Sequence, residues 1–309
     1  IYVQTALIEL SSNSFRLTVS DGIHNVLQRN HHLGLAASVS VNGAFTRSDI
    51  DEATFVAKEL AYVAENFGYD QIMVVATEAF RLASNGENVA ECISLSIGHE
   101  VRILSEVEET SLAWEAVSSE FPVHSNIAMA DLGGGSLGLA FGPTNSNKPQ
   151  QQSSHRLGVS LLSPRTLKNG ILSSDTRIRL EHHIASELRP AIQKSKSQLP
   201  LPTILVGGAA RGIAQLIYVS RRAELPDTAH GFVIDCSDLG HLINRLSKFP
   251  LASRLAMPGM KERRAEAMPL AATILRQLLR SLEVHEAVVS TSGLREGILQ
   301  RLTAVRKAA

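Results

Sequence analysis

The chain has 309 residues, of which 44% are apolar and 19% charged, a composition typical of a globular protein with one large or two ordinary domains. Lysine plus arginine and aspartate plus glutamate are balanced at 30 each, so no strong positive field favours a nucleic acid or a membrane as partner. The cysteines, Cys92 and Cys236, have no metal-ligand spacing and form no disulfide framework. We recognise no signal peptide and no apolar run of about 18 residues, and we expect a cytoplasmic protein.

The first elements are predicted to be a strand, a turn of small residues and a second strand. In ALIELSSNSFRLTV (residues 6–19), Glu9 stands at the end of an apolar run, and SSN separates it from the next run. The dipeptide DG at 21–22 is a hairpin turn that leads into IHNVLQRN. We therefore predict that a three-strand meander opens the fold.

Alternating helices and strands follow the meander. Residues 49–68 keep apolar side chains at helical spacing up to a final glycine, which predicts a helix. The strands QIMVVAT and VRILS come next, with the helix NGENVAECISLSIG between them. Another helix begins at EVEETSLAWEAV, where Glu108 and Glu109 suit the positive end of the helix dipole. Taken alone, this acidic pair is typical of a solvated first turn.

The motif MADLGGGSLGLAFG (residues 129–142) places Asp131 at the end of an apolar run, with three glycines behind it. GGGSLG fits the spacing of a dinucleotide-binding turn, but such a turn must open a helix, and here a short apolar run ends at GP. A hairpin whose turn exposes backbone N–H groups beside a carboxylate fits better. Such a turn suits a phosphate with a divalent metal between the negative groups. A hairpin that needs glycines only for positive φ is the simpler alternative.

The two acidic turns are similar to each other. When ALIELSSNSFRLTV is set beside AMADLGGGSLGLAF, Glu9 falls on Asp131 and Ser14 falls on Ser136. One copy opens each half of the chain, which indicates an internal duplication. Two such halves facing each other would place both acids on opposite walls of one cleft.

Each half is expected to form one α/β domain with a mixed sheet. We place the boundary near FPVHSN, so the predicted domains cover residues 1–124 and 125–309. A final helix, about residues 297–309, is expected to pack back on the first domain.

A third glycine motif lies in the second half. LPTILVGGAARGIAQLIYVSR (200–220) predicts a buried strand, a turn at Gly207-Gly208 and a helix. Free N–H groups and the helix dipole suit an anion at such a turn, although an ordinary βα turn has the same pattern. We interpret KERR (261–264) as a solvated mixed-charge turn, and Arg211 and Arg295 as residues that form surface ion pairs.

With these motifs in order, the chain resembles the exopolyphosphatase and guanosine pentaphosphate phosphohydrolase (Ppx/GppA) family, in its short two-domain form. The resemblance runs nearly end to end. It rests on ELSSNSFRL (9–17), VVATEAFRLASNG (74–86), ILSEVEETSLAWEAV (103–117), ADLGGGS (130–136), HRLGVSLL (155–162), VGGAAR (206–211), ERRAEAMPLAATIL (262–275) and SGLREGIL (292–299). It implies two actin-like ATPase (ribonuclease H-like) domains of duplicated topology flanking a cleft.

The resemblance also implies an activity: Mg²⁺-assisted hydrolysis of the terminal phosphate of inorganic polyphosphate or pppGpp. Glu109 matches the catalytic glutamate that activates water, and Asp131 and Glu9 match the metal-side acids. Such a reaction needs positioning, charge neutralisation and an oriented water. A homodimer is a possible assembly. The phosphate-binding positions are Ser12, Asn13, Ser14, Arg81, Gly133, Gly134, Gly135, Ser136, Gly207 and Gly208.

Several positions depart from the family pattern. Glu9 replaces an aspartate, and Leu137-Gly138 replaces a threonine and a glutamate that is expected to help hold metal or water. The other departures are Ser11 for glycine, His32 for arginine and Ala209 for threonine. Two altered carboxylates leave a second hypothesis open, a weakened polyphosphate- or nucleotide-binding sensor on the same fold. A sugar- or acetate-type kinase is a third, but no adenosine pocket or acceptor-facing acid is recognisable.

Overall fold

The computed structural model describes residues 4–22, 24–222 and 228–307. The chain forms two compact units. Unit 1 comprises residues 1–113 and 294–309, and unit 2 comprises residues 114–293. The first compact unit therefore ends before residue 124 and includes the last helix. The domain limits predicted above and the shared cleft stay predictions.

Unit 1 is built on a mixed sheet in the order β3-β2-β1-β4-β5. The first three strands are antiparallel neighbours, as the meander pattern predicts, and the last two run parallel to β1. The central β1 is buried along its whole length, which explains its nearly continuous apolar sequence. The strands are β1 (Thr5–Leu10), β2 (Ser14–Ser20), β3 (Asn25–His32), β4 (Gln71–Ala76) and β5 (Val101–Ile103).

Helices cover this sheet, and the boundary between the units falls within the fifth of them. The second helix begins with a capping box in which the Thr46 side chain accepts from the Asp49 N–H and the Asp49 carboxylate accepts from the Thr46 N–H. Its buried face joins the core of unit 1. The helices are α1 (Leu35–Asn42), α2 (Arg47–Phe67), α3 (Glu78–Leu82), α4 (Gly86–Ile97) and α5 (Glu106–Ser118).

Unit 2 contains a six-stranded sheet in the order β10-β11-β9-β6-β7-β8. β6, β7 and β8 form an antiparallel meander, and β9 and β11 run parallel to β6. β10 adds an antiparallel edge beside β11. The strands are β6 (Asn126–Leu132), β7 (Leu137–Pro143), β8 (Gln151–His155), β9 (Thr203–Val206), β10 (Val233–Asp235) and β11 (Glu286–Val289).

The helices of unit 2 enclose one large apolar core. The central one, α12, has the predicted Pro269 in its first turn and a buried stripe that includes Leu270, Ile274 and Leu278. The helices are α6 (Val159–Thr166), α7 (Ser174–Ser195), a 3₁₀ turn (Lys196–Gln198), α8 (Gly207–Arg222), α9 (Cys236–Lys248), α10 (Leu251–Leu255), α11 (Glu262–Ala265) and α12 (Met268–Ser281).

A last helix, α13 (Leu294–Lys307), returns the chain to unit 1. Ile298 and Leu299 share a buried cluster with Leu7 of β1 and Leu112 of α5. Gly297 lets the backbones of α13 and α5 meet, because a Cβ at this position would lie 1.9 Å from the carbonyl oxygen of Leu112. In the part of the chain that the structure describes, no helix combines the length and the apolar character needed to cross a membrane.

The two sheets share one topology. The order β3-β2-β1-β4-β5 of unit 1 corresponds to β8-β7-β6-β9-β11 of unit 2, strand for strand and direction for direction. The duplication inferred from the two acidic turns is therefore present in the fold.

Candidate functional site

The first acidic turn lies between β1 and β2. Glu9 is the next-to-last residue of β1, its side chain is 7% exposed, and one oxygen accepts a hydrogen bond from Arg295 Nε at 2.7 Å. Burial lowers the pKa of Arg295, but the charges of Glu9 and Glu296 raise it by more, so the guanidinium stays charged. Arg295 is therefore a buried partner of Glu9 rather than the surface residue that the sequence suggested.

The backbone of this turn is closed by a hydrogen bond from the Ser11 N–H to the Ser14 carbonyl. The Ser12 carbonyl accepts from the Ala36 N–H, and the Asn13 carbonyl accepts from the N–H groups at 33 and 34. The predicted phosphate positions of the first turn thus anchor the start of α1. Their role in phosphate binding stays a prediction.

Arg81 and Glu109, predicted from separate motifs, lie together in unit 1. Arg81 Nη2 is 2.9 Å from Glu109 Oε2, and Nη1 donates to the Leu104 carbonyl at 2.5 Å. The same Nη2 donates to Glu78 Oε2 at 2.5 Å. We call Glu78, Arg81 and Glu109 the shared-arginine triad.

The third member of this triad was missed at the sequence level. Glu78 is the first residue of α3 and is 3% exposed. It stands three residues before Arg81, a spacing that brings side chains together on a helix and could have revealed the pair. Burial lowers the pKa of Arg81, but the charges of Glu109 and Glu78 raise it above its ordinary value.

The second acidic turn joins β6 to β7. Asp131 is half-buried in β6 and stands opposite Gly138 of β7 and Val206 of β9. Directly opposed residues carry their side chains on the same face of a sheet, so a side chain at position 138 would lie beside the Asp131 carboxylate. The family departure at Gly138 therefore removes a neighbour of Asp131.

The glycine turn itself presents its carbonyl groups to α6. The Gly133 carbonyl accepts from the Val159 N–H, and the Gly134 carbonyl accepts from the next two N–H groups of that helix. Within the described residues, the N–H groups of Gly134, Gly135 and Ser136 donate no hydrogen bond. Three consecutive N–H groups of this kind suit an anion, and phosphate binding by this turn stays a prediction.

The start of α8 lies against Asp131. Gly207 has a φ of +95°, and a Cβ at this position would lie 2.7 Å from Asp131 Oδ1. A Cβ at Gly208 would lie 2.5 Å from Nη2 of Arg264. Glycine at both positions therefore lets a carboxylate and a guanidinium approach the same helix N-terminus.

Arg264 belongs to a group of cations that the sequence did not reveal. Burial lowers the pKa of Arg264 to about 10, and the nearby charges of Arg263 and Arg211 lower it as well. Burial also lowers the pKa of Lys261, and the charges of Arg264, Arg263 and Arg211 lower it further. We call Arg211, Lys261, Arg263 and Arg264 the basic cluster. No ion pair joins any of them to a carboxylate in the described parts of the chain.

The interpretation of KERR as a solvated turn holds for Lys261, Glu262 and Arg263, which are exposed, but not for Arg264. Arg264 packs over Gly208 and Gly212 instead of extending into solvent. α11, which carries Arg264, is held by the buried Arg254, whose Nη1 donates to the Ala265 and Glu266 carbonyls at 2.9 Å. Arg211, which was expected to form a surface ion pair, is half-buried and donates to the Thr291 carbonyl at 3.0 Å.

The acids fit a magnesium ion to different degrees. Among the described residues, no group of three histidine, cysteine, aspartate or glutamate side chains converges. Mg²⁺ in phosphate-handling sites commonly binds one or two carboxylates and takes its remaining ligands from phosphate and water. Asp131, held against the glycine start of α8, fits this role. Glu9, with one oxygen bonded to Arg295, fits it less well, and its metal role stays a prediction.

Known proteins similar to this chain show its family and its fold. Exopolyphosphatase 1 of Mycobacterium leprae (strain TN) is 24% identical over 97% of this chain and 89% of its own. A solved Ppx/GppA family member from Aquifex aeolicus is 25% identical, covers 100% of both chains and has a TM-score of 0.82. A Cytophaga hutchinsonii exopolyphosphatase has a TM-score of 0.88 over 98% of both chains at 21% identity, which supports the fold. The predicted fold class, two α/β domains of duplicated topology, is thereby confirmed. Since the Ppx/GppA phosphatase family profile matches residues 16–304, the chain belongs to that family.

Proposed function

We propose that the protein is a Mg²⁺-dependent phosphohydrolase that removes the terminal phosphate of inorganic polyphosphate, pppGpp or both. The observation that carries this proposal is in unit 2. Among the residues that the structure describes, three N–H groups donate no hydrogen bond and four cations have no carboxylate partner; together with the start of α8, they favour an anion of several negative charges. The family membership and the names of its relatives support the same substrate class.

In the proposed reaction, Glu109 acts as general base. A water O–H bond breaks as the water oxygen bonds to the terminal phosphorus, and the proton passes to the Glu109 carboxylate. The bridging P–O bond breaks, and its electron pair stays on the shortened chain or nucleotide. Arg81 fixes the orientation of Glu109 through the 2.9 Å contact.

The residues of unit 2 hold the phosphates in this proposal. The N–H groups of Gly134, Gly135 and Ser136 and those of Gly207-Gly208 donate to phosphate oxygens, and Arg264 offsets the negative charge of the phosphates. Asp131 would hold Mg²⁺, which neutralises charge on the phosphate oxygens when bound. In-line transfer depends on such positioning and electrostatic stabilisation more than on covalent chemistry by the protein.

The sensor hypothesis remains the alternative, and one observation favours it. Gly138 leaves the position opposite Asp131 without a side chain, so the cation site lacks a carboxylate that the family pattern supplies. A site weakened in this way would bind polyphosphate and turn it over slowly.

Phosphate release from long-chain polyphosphate and from pppGpp, measured with and without Mg²⁺, tests the proposal. We expect Mg²⁺-dependent release that Glu109→Gln lowers by at least about a hundredfold, because an amide takes no proton from water. Glu106→Gln is the matched control, since Glu106 is an exposed carboxylate in the first turn of the same helix. Polyphosphate binding with no release above background would favour the sensor, and equal release by Glu109→Gln would remove Glu109 from its role.

A further inference from the structure

The shared-arginine triad contains one more carboxylate than the proposed reaction uses. Arg81 Nη2 contacts Glu78 Oε2 at 2.5 Å and Glu109 Oε2 at 2.9 Å. The exposures of the two acids differ, since 4% of the Glu78 side chain and 25% of the Glu109 side chain are accessible. Glu78 is therefore buried in the protein, and Glu109 reaches the protein surface.

The hydrogen bonds of the triad are incomplete on the buried side. Oε1 of Glu78 and Nε of Arg81 are buried and have no hydrogen-bond partner among the described residues. A buried polar atom without a partner destabilises the folded protein, because its desolvation is not compensated by a hydrogen bond. A purely structural ion pair would be expected to satisfy both ends, so this arrangement favours a functional reason for a glutamate at position 78.

The charges of the triad suggest why a glutamate stands at position 78. A single guanidinium cannot neutralise two carboxylates, and a like charge nearby favours proton uptake by one of them. Of the two acids, Glu109 is the one with access to solvent, so it is the one that can exchange a proton with a water molecule at the surface. Charged neighbours on α5 and on α13, which packs against it, have their own contacts: Glu108 with Arg102, and Arg295 with Glu9 and Glu296. Glu106 and Glu115 of α5 and Arg301 of α13 are the other charged groups of these helices whose side chains the structure describes.

We propose that Glu78 is a positioning residue that shares Arg81 with Glu109 and thereby keeps Glu109 able to take the proton of the attacking water. The inference rests on the proposed function. Without the Glu78 carboxylate, Arg81 would pair with Glu109 alone and make it a weaker base. With Glu78 in place, Arg81 still orients Glu109 but divides its charge between two acids.

The test compares kcat, KM and the pH profile of Mg²⁺-dependent phosphate release from polyphosphate for the wild type and Glu78→Gln. The amide keeps the size of the side chain and one hydrogen bond to Arg81. We expect kcat to fall at least about tenfold with little change in KM, and the acid limb to move to lower pH, because Glu109 then holds its proton less tightly. Glu87→Gln, at an exposed glutamate of α4, is the control.

Two further variants separate the possible failures. Glu78→Asp keeps the charge and should retain an acid limb close to that of the wild type, even where its stability is lower. In an Arg81→Met background, Glu78→Gln should change kcat no further. A folded Glu78→Gln protein with unchanged kcat and pH profile would overturn the positioning role alone. No difference between the wild type and Glu109→Gln would instead overturn the proposed function.

Discussion

Arg264→Met is the substitution that tests the basic cluster most directly. Burial and two neighbouring arginines lower the pKa of Arg264 to about 10, far below the ordinary arginine value. The folded protein thus disfavours this charge, and no ion pair with a described carboxylate offsets it. Methionine keeps the unbranched apolar part of the side chain and removes the guanidinium that lies over Gly208 and Gly212. We therefore expect the variant to be more stable than the wild type in the absence of an anion.

The expected gain follows from the pKa. A tenfold change in proton affinity equals about 1.4 kcal/mol, so the full lowering corresponds to about 3 kcal/mol. Arg264 keeps some contact with solvent, and screening reduces the gain to about 1–2 kcal/mol. For a unit of this size that equals a rise in Tm of about 3–6 °C.

The size of this stability gain depends on pH. The folded-state pKa of Arg264 lies below the unfolded-state value, so the destabilisation is complete at neutral pH. It is relieved as pH rises through about 10. The stability advantage of Arg264→Met should therefore be largest near pH 7 and shrink above pH 10.

Scanning calorimetry without tripolyphosphate measures the gain in stability, and calorimetry with tripolyphosphate measures the response to the anion. Tripolyphosphate should raise the Tm of the wild type by mass action and raise that of Arg264→Met much less. Arg189→Met, at an exposed arginine of α7, should leave both values near those of the wild type. A lower Tm for Arg264→Met without anion, combined with an undiminished response to tripolyphosphate, would refute the reasoning.

Three more predictions follow from single contacts. Gly138→Glu should lower the Mg²⁺ concentration for half-maximal phosphate release by about tenfold, because it adds a carboxylate beside Asp131. A higher Mg²⁺ requirement in the phosphate-release assay would show that the site does not need a carboxylate at position 138. Gly297→Ala should reduce the unfolding free energy by about 2–3 kcal/mol, since its Cβ would strike the Leu112 carbonyl. The control Gly240→Ala faces only a flexible guanidinium and should raise the unfolding free energy by about 0.5 kcal/mol. Equal urea midpoints for the two variants would contradict this prediction. Arg254→Met should cost about 2–4 kcal/mol in urea unfolding, because three backbone carbonyls lose their donor, and a neutral effect would count against it.

Local patterns predicted most of the fold. The strand-turn-strand elements around Glu9 and Asp131 are fixed by neighbours in sequence, because apolar alternation and turn residues act over a few positions. The internal similarity of these two segments then predicted the duplicated sheets. The extra edge strand β10 was not predicted, because its three residues carry too little pattern.

The candidate site was predicted less completely, because its contacts are long-range. Glu9 and Arg295 are 286 positions apart, and no local pattern links them. Arg264 meets Gly208 only through the tertiary packing of α11 against α8. Its neighbours in sequence are charged, so the pattern resembled a solvated turn. Glu78 is the exception, since its spacing from Arg81 was visible in the chain.

The division of unit 1 into two sequence segments has a consequence for the completion of the fold. Residues 114–293 are continuous, so all the strands of unit 2 lie in one uninterrupted segment. Unit 1 is completed only by α13, which supplies Ile298 and Leu299 to its core and Arg295 to the buried Glu9. The segment made first thus depends on one made after the whole of unit 2. A chain that lacks residues 294–307 would keep every strand of unit 2 but leave the core of unit 1 incomplete.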